Sequence, residues 1–217
     1  MLQLKRKKLR KGLYRFCKNI ADRLLALSAI LLLLPLMAVI AFGIRCTSRG
    51  PLLFRQVRMG RGMEPFLLYK FRTMSCRAPR NCATAMLKAP ERYVTPFGAF
   101  LRKTSLDELP QLFNVLRGEM SLLGPRPVIL CEDELIAARA CAGVYRVRPG
   151  ISGLSQVAGR DLLDNQEKTR LDSEYARTLS PWRDICLLLA TLWAVLLHSG
   201  IREGCLVEQG GKDVVRK

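Results

Sequence analysis

Apolar residues follow three different rhythms along this chain. From residue 24 to residue 44 they run for 21 positions without a charge, enough to cross a bilayer core as a straight helix. Pro35 stands near the middle of that run and predicts a break, because it removes the hydrogen bond to the carbonyl of Leu31. Further on, Leu109, Leu112, Phe113 and Leu116 fall at i, i+3, i+4 and i+7, the stripe of an amphipathic helix that ends before Gly118. With Asp107 as N-cap, Pro110 lies in the first turn, where its missing N–H loses no partner; a cap at Ser105 would set it deeper and at higher cost. Between these two helices, residues 50–74 alternate apolar runs (Leu52 to Phe54, Phe66 to Tyr69) around a Gly-rich basic turn, predicting a β-hairpin.

The other segments carry weaker patterns. Residues 75–92 have no periodicity and read as a variable loop, and Pro96 with Gly98 predicts a turn. Residues 128–142 suit a helix with Glu132, Asp133 and Glu134 on its solvated side, and residues 146–160 form a basic, turn-rich element. The uncharged run 185–197 is too short to span a membrane and predicts an interfacial or core helix, with Trp182 and Trp193 suited to a headgroup boundary. His198 reads as a helix-end cap and the tail from Gly204 as poorly ordered. The expected fold class is α+β: a mainly helical domain with a small β-hairpin element over residues 46–217, preceded by a polybasic N-terminus and a membrane helix broken at proline over residues 1–45.

Charge narrows the choice of partners. The chain has 36 Lys and Arg against 18 Asp and Glu, and within residues 1–80 the only acids are Asp22 and Glu64. Such an excess implies an anionic partner: nucleic acid, an anionic membrane surface or a phosphorylated substrate. The long apolar run fits DNA binding poorly, and there is no zinc finger or other nucleic-acid module. Residues 1–23 instead resemble a juxtamembrane polybasic segment suited to anionic lipids. Arg45, Arg49, Arg55, Arg58 and Arg61 follow the run, so both flanks carry the charge expected on the cytoplasmic side. A helix that dips in and returns, re-entrant at Pro35, satisfies both. The run is longer than the core of a signal peptide and lacks a clear cleavage site. Eight scattered cysteines and a single histidine suggest neither a zinc site nor a disulfide framework.

Asp107 and Glu108 are the candidate reactive groups. At a helix start they have a bland role, capping and pairing with the helix dipole. A carboxylate kept ionised there is also a usable nucleophile, beside a terminus that can hold phosphate. Arg102 and Lys103 precede the pair, and the turn Gly124-Pro125-Arg126-Pro127 follows its helix. A guanidinium on so stiff a loop suits bidentate phosphate recognition.

The stretch SLDELPQLFNVLRGEMSLLGPRP (105–127) resembles the signature of the bacterial sugar transferases, the monotopic phosphoglycosyl transferases. The similarity extends to GPLLFRQVRMG (50–60), YKFRTM (69–74), RVRPGISGLSQVAGR (146–160) and LDSEY (171–175). The resemblance implies transfer of a phosphosugar from a nucleotide diphosphate sugar, usually a UDP-sugar, to polyprenol phosphate (undecaprenyl phosphate), with release of UMP, as a membrane step of glycoconjugate assembly. It implies Asp107 as nucleophile and Glu108 as holder of Mg²⁺. Lys70, Arg72, Arg102, Arg126 and Arg160 would stabilise phosphate charge, with Arg148 and Gln156 as further substrate contacts. It implies a re-entrant helix broken at Pro35 and a catalytic domain on the cytoplasmic face of a bacterial inner membrane. The chain departs from the family pattern at Leu34, where serine is frequent, at Leu154 and Asn165, where tryptophans are, and at Asp161, where asparagine is. Two other readings stand beside this one: a non-catalytic basic protein binding membrane or nucleic acid, and a membrane scaffold that has lost its chemistry.

Overall fold

The computed structural model describes residues 2–79, 89–159 and 163–196. The expected helix break is not what is found. One helix, α1 (Leu2–Thr47), runs for 46 residues with Pro35 inside it, about 70 Å at 1.5 Å per residue. Proline deletes one ladder bond, and packing on either side holds the helix together across the gap. Ala26 and Ile30 belong to one buried cluster, Met37, Ile40 and Ile44 to another, while Pro35 is exposed.

The predicted hairpin is present as β1 (Leu53–Met59) and β2 (Pro65–Phe71), antiparallel with Leu53 opposite Phe71 and Met59 opposite Pro65. Where a turn was expected around Pro96 there is a helix, α2 (Pro96–Lys103), because Thr95 caps it by accepting from the Gly98 amide at 3.0 Å and proline fits its first position. The carboxylate region also differs in detail. Asp107 is not a helix cap: Leu106–Glu108 forms a 3-10 turn entered through Ser105 at φ 56°, and α3 (Gln111–Arg117) begins after Pro110 and ends at Gly118, φ 84°.

The chain continues through β3 (Ser121–Leu123), β4 (Val128–Ile129), α4 (Asp133–Cys141), β5 (Gly150–Ser152), α5 (Leu154–Ala158), α6 (Asn165–Arg177) and α7 (Pro181–Leu196). Helices dominate and the sheets are small: β2-β1-β4, and the parallel pair β3-β5. The core lies between α1 and this domain. Leu68, Leu112, Val115 and Met120 pack on the first half of α1, Phe71 and Leu101 on the second. The outward side of α1 presents Leu24, Leu25, Leu31, Leu32, Val39 and Phe42, and the helix is apolar enough to lie in a membrane. On α7, Trp182, Ile185, Leu189 and Trp193 are also exposed, which favours the interfacial reading of that helix over the core one.

Both flanks of the uncharged stretch of α1 are held by the same domain. Near its start Tyr14 donates to Asp184 at 2.6 Å, Lys18 lies 2.8 Å from Asp184, and Ser121 donates to Asp22 at 2.6 Å. At its far end Arg72, itself buried, donates to the carbonyls of Ser48 (2.8 Å) and Arg49 (2.7 Å) and to the Ser48 hydroxyl.

Candidate active site

The carboxylate pair stands over the open end of the hairpin. In β1 and β2 every second residue shares a face, and Phe54–Lys70, Gln56–Leu68 and Arg58–Phe66 are opposite pairs on one such face. The backbone is carried to it by Asn114, fully buried in α3. Its side chain accepts from the Tyr69 amide (3.1 Å) and donates to the Leu67 carbonyl (2.7 Å), acting on the β2 edge as a neighbouring strand would. This pins α3 to β2 and holds the turn before α3 above Lys70. Asp107 and Glu108 are there 8% and 7% exposed. Lys70 Nζ lies 2.7 Å from Glu108 Oε1 and 3.9 Å from Asp107 Oδ2, and Arg126 Nη1 lies 3.7 Å from the same Glu108 oxygen. Burial lowers the Lys70 ammonium below its ordinary range and Arg126 adds to that; Glu108 and Asp107 push back.

The loop carrying Arg126 is fixed from three sides. Gly124 lies against residues 148–153: its amide donates to Ser152 O (2.8 Å), and the Gly150 amide donates to Pro125 O (2.9 Å). A Cβ on Gly124 would come within 2.4 Å of Arg148 O, and one on Gly153 within 2.1 Å of Gly124 O. The glycines of both motifs are thus needed for close backbone approach. From a second side Arg58 donates to Pro127 O at 3.1 Å, since β4 pairs beside it. Burial, and then Arg126, lower the Arg58 guanidinium to about 10. From the third side Arg139 donates to Arg126 O at 2.6 Å and pairs with Asp172, which also accepts from Ser155 at 2.8 Å. Arg139 and Asp172 are almost wholly buried.

The sequence candidates separate in space. Lys70, Asp107, Glu108 and Arg126 come together. Arg72 is turned to the end of α1. Arg102 Nε donates to Thr73 at 2.8 Å. Arg148 donates to Asn19 on α1, and Gln156 donates to Ile151 O at 2.7 Å, bracing its own loop. Arg160 lies outside the described residues, as do Asp161, His198 and the tail. Sequence reasoning placed Arg58 only among the basic residues flanking the apolar run, and gave no place to Asn114 or Arg139. Asn114 had a signal, a polar residue within the apolar run of α3, and Arg58 another, since it shares strand parity with Gln56 in the predicted hairpin. Arg139 sits in a helix of mixed polarity and had none.

The turn bearing the carboxylates packs directly on α1, with Leu106 and Leu109 against the cluster of Met37, Ile40 and Ile44. A buried carboxylate pair contacted by lysine and arginine on top of a long apolar helix is an arrangement that would suit a phosphate-handling domain at a membrane. Comparison with known proteins gives it a family: the bacterial sugar transferase model matches residues 13–198, and the chain belongs to that family. It is similar to the UDP-glucose:undecaprenyl-phosphate glucose-1-phosphate transferase of Caulobacter vibrioides, 41% identical over 82% of this chain and 69% of the relative. The transferase of the same name from Escherichia coli is 38% identical over 84% of this chain and 40% of its own length. The UDP-N-acetylgalactosamine-undecaprenyl-phosphate N-acetylgalactosaminephosphotransferase of Aeromonas hydrophila is 38% identical over 88% and 46%. The chain thus spans less than half of the last two relatives. By its family it is a transferase, and α1 is long and apolar enough to cross a membrane.

Proposed function

We propose that this transferase moves a sugar 1-phosphate from a UDP-sugar to undecaprenyl phosphate, releasing UMP, on the cytoplasmic face of a bacterial inner membrane. The observation that carries the reading is the Asp107–Glu108 pair, buried and contacted by Lys70 at 2.7 and 3.9 Å. The names of the relatives support the donor and the acceptor.

In this reading an Asp107 oxygen attacks the phosphorus that bears the sugar. The bond from that phosphorus to the bridging oxygen breaks, and the electron pair leaves with UMP. A phosphate oxygen of undecaprenyl phosphate then attacks the same phosphorus and displaces Asp107 as carboxylate, giving the polyprenyl diphosphate sugar. Lys70 and Arg126 spread the charge that develops on the phosphoryl oxygens, and Arg102 and Arg160 are the further candidates for that task. Arg72 and Gln156 serve positions in the fold, and Arg148 is bonded to Asn19 of α1, away from the carboxylates.

The donor set suits Mg²⁺. Two neighbouring carboxylates offer hard oxygen ligands, and magnesium is commonly held by one or two carboxylates with substrate phosphate and water completing the shell. Glu108 would hold it, and the bound ion would neutralise charge on the diphosphate.

For the membrane helix, contacts at both ends support a monotopic course. Ser121 holds Asp22 before the apolar stretch, and Arg72 holds the turn after it. Both basic flanks then stay on the domain's side, the outcome a re-entrant segment at Pro35 was invoked to give.

The test is UMP release by detergent-purified protein from a panel of UDP-sugars with Mg²⁺, followed by intact mass. A mass gain of one phosphosugar at Asp107 is expected, and Asp107→Asn should abolish the first half-reaction while the protein stays folded and membrane-bound. UMP release unchanged in that variant would remove Asp107 as nucleophile. Glu108→Gln should weaken the metal dependence together with the rate.

A further inference from the structure

A second cationic cavity lies beyond the catalytic residues. Its volume is about 230 Å³ and it opens between α1 and the domain, lined by Arg15, Lys18, Arg61, Arg146 and Arg148 over apolar walls that include Phe16 and Leu179. None of Lys70, Asp107, Glu108 or Arg126 lines it. Arg61 is at the hairpin turn, whereas Lys70 is five residues along β2 from Pro65, about 17 Å at 3.3 to 3.4 Å per residue.

One carboxylate, Asp22, is among the described residues lining the cavity, and it is taken up by Lys18 and Ser121, which leaves the arginines without an ion pair. Lys18 is paired with Asp184 at 2.8 Å and Asp22 at 3.5 Å, and Asp22 is also taken by Ser121. Arg15, Arg61, Arg146 and Arg148 have no ion pair among the described residues. Burial lowers the Arg148 guanidinium below its ordinary range, and repulsion from Arg23 and Arg61 lowers it further, with Asp22 opposing them. Its depth matters equally. Arg15, Lys18 and Asn19 lie within the last three turns of α1 before the uncharged stretch begins at residue 24, which puts the mouth at headgroup level when that stretch is in lipid.

We propose that this cavity binds the phosphate headgroup of an anionic membrane phospholipid, with Arg15, Arg61, Arg146 and Arg148 around the phosphate and Phe16 and Leu179 against the glycerol and first acyl carbons. The volume is roughly that of seven or eight waters at about 30 Å³ each, room for a phosphodiester and part of its glycerol. Guanidinium groups suit phosphate oxygens by their planar fork. The lipid so held is a resident of the fold and orients the domain on the membrane. This inference rests on the membrane placement of α1.

The experiment uses the full chain, first by flotation with phosphatidylcholine vesicles, then by native mass spectrometry from detergent containing equal phosphatidylglycerol and phosphatidylcholine. The wild type should retain one phosphatidylglycerol in preference. Arg61→Gln/Arg146→Gln should cut that preference about tenfold or more, two lipid-facing cations being removed, while Arg170→Gln, on an exposed part of α6, should leave it intact. Equal retention of the two lipids by the wild type, or an undiminished preference in the double variant, overturns the proposal. Displacement of phosphatidylglycerol by excess UDP also overturns it, assigning the cavity to the nucleotide donor. Failure of the wild type to float with any vesicle refutes the membrane placement itself, a result separable from loss of lipid preference.

Discussion

Breaking the Arg139–Asp172 pair tests how the Arg126 loop is held. Asp172→Asn removes the charge opposite a guanidinium that is 2% exposed, and an ion left buried without its partner costs about 3–5 kcal/mol. At about 2–4 °C per kcal/mol for a domain of this size, melting should fall by roughly 6–20 °C. The replacement of both residues makes a different prediction. Burial raises the Asp172 carboxyl above its ordinary range despite Arg139 and Ser155, so the pair has not recovered its desolvation, and Arg139→Met/Asp172→Leu should be within about 1 kcal/mol of wild type. Its activity should still fall. The Arg126 carbonyl loses the donor at 2.6 Å, the loop gains freedom, and weakening one charge-assisted contact to phosphate is worth about 1.5–3 kcal/mol, roughly 10- to 150-fold in kcat/KM. Thermal melts in detergent and UMP release measure the two effects separately, and the loss should lie in kcat more than in KM. A double variant with full stability and full rate would refute the positioning role. A single variant melting with the wild type would refute the energetic argument.

Three further outcomes follow from particular contacts. Because the Lys70 ammonium is lowered from 10.5, kcat/KM should fall as pH rises through that lowered value, and Lys70→Arg should move the alkaline limb upward in a pH–rate profile. The sign for stability is opposite: between the folded value and 10.5 the unfolded chain binds more protons, so stability from this residue grows with pH and is lost as pH falls through the folded value. The alkaline loss of rate should therefore come without unfolding. Arg72→Lys should lower stability by about 1.5–3 kcal/mol through lost contacts to the end of α1, with KM for the UDP-sugar unchanged; a raised KM at full stability would return Arg72 to the phosphate site. Gly124→Ala should reduce both melting temperature and rate, since its Cβ meets backbone at 2.4 Å rather than a movable side chain; wild-type melting would show that the loop does not need that approach.

Much of this site was legible because it is encoded locally. The stripe of α3, the strand periodicity of the hairpin and the proline-stiffened Arg126 turn are short-range patterns; the helix and turn brought Asp107, Glu108 and Arg126 to notice, while Lys70 came from the resemblance of its YKFRTM stretch to the family. Local pattern also misled. Thr95-Pro96 is a helix start, yet Gly98 made it read as a turn; that glycine is set by a long-range contact, its Cβ position lying 2.0 Å from Thr73 O. Pro35 carried a sound local penalty, overridden by packing on both sides of it.

By itself the sequence determined that this chain has a long uncharged apolar helix, a basic N-terminal third and a carboxylate pair flanked by cations, since hydrophobic run length, charge and motif spacing are properties of neighbours along the chain. The tertiary structure decided which cations face the carboxylates and which only hold the fold. Arg58 and Arg126 converge through β1–β4 pairing, Arg72 turns to the end of α1, and Arg139 reaches the Arg126 carbonyl across the interior. Those choices are made by residues far apart in sequence, whose meeting depends on which apolar faces bury one another.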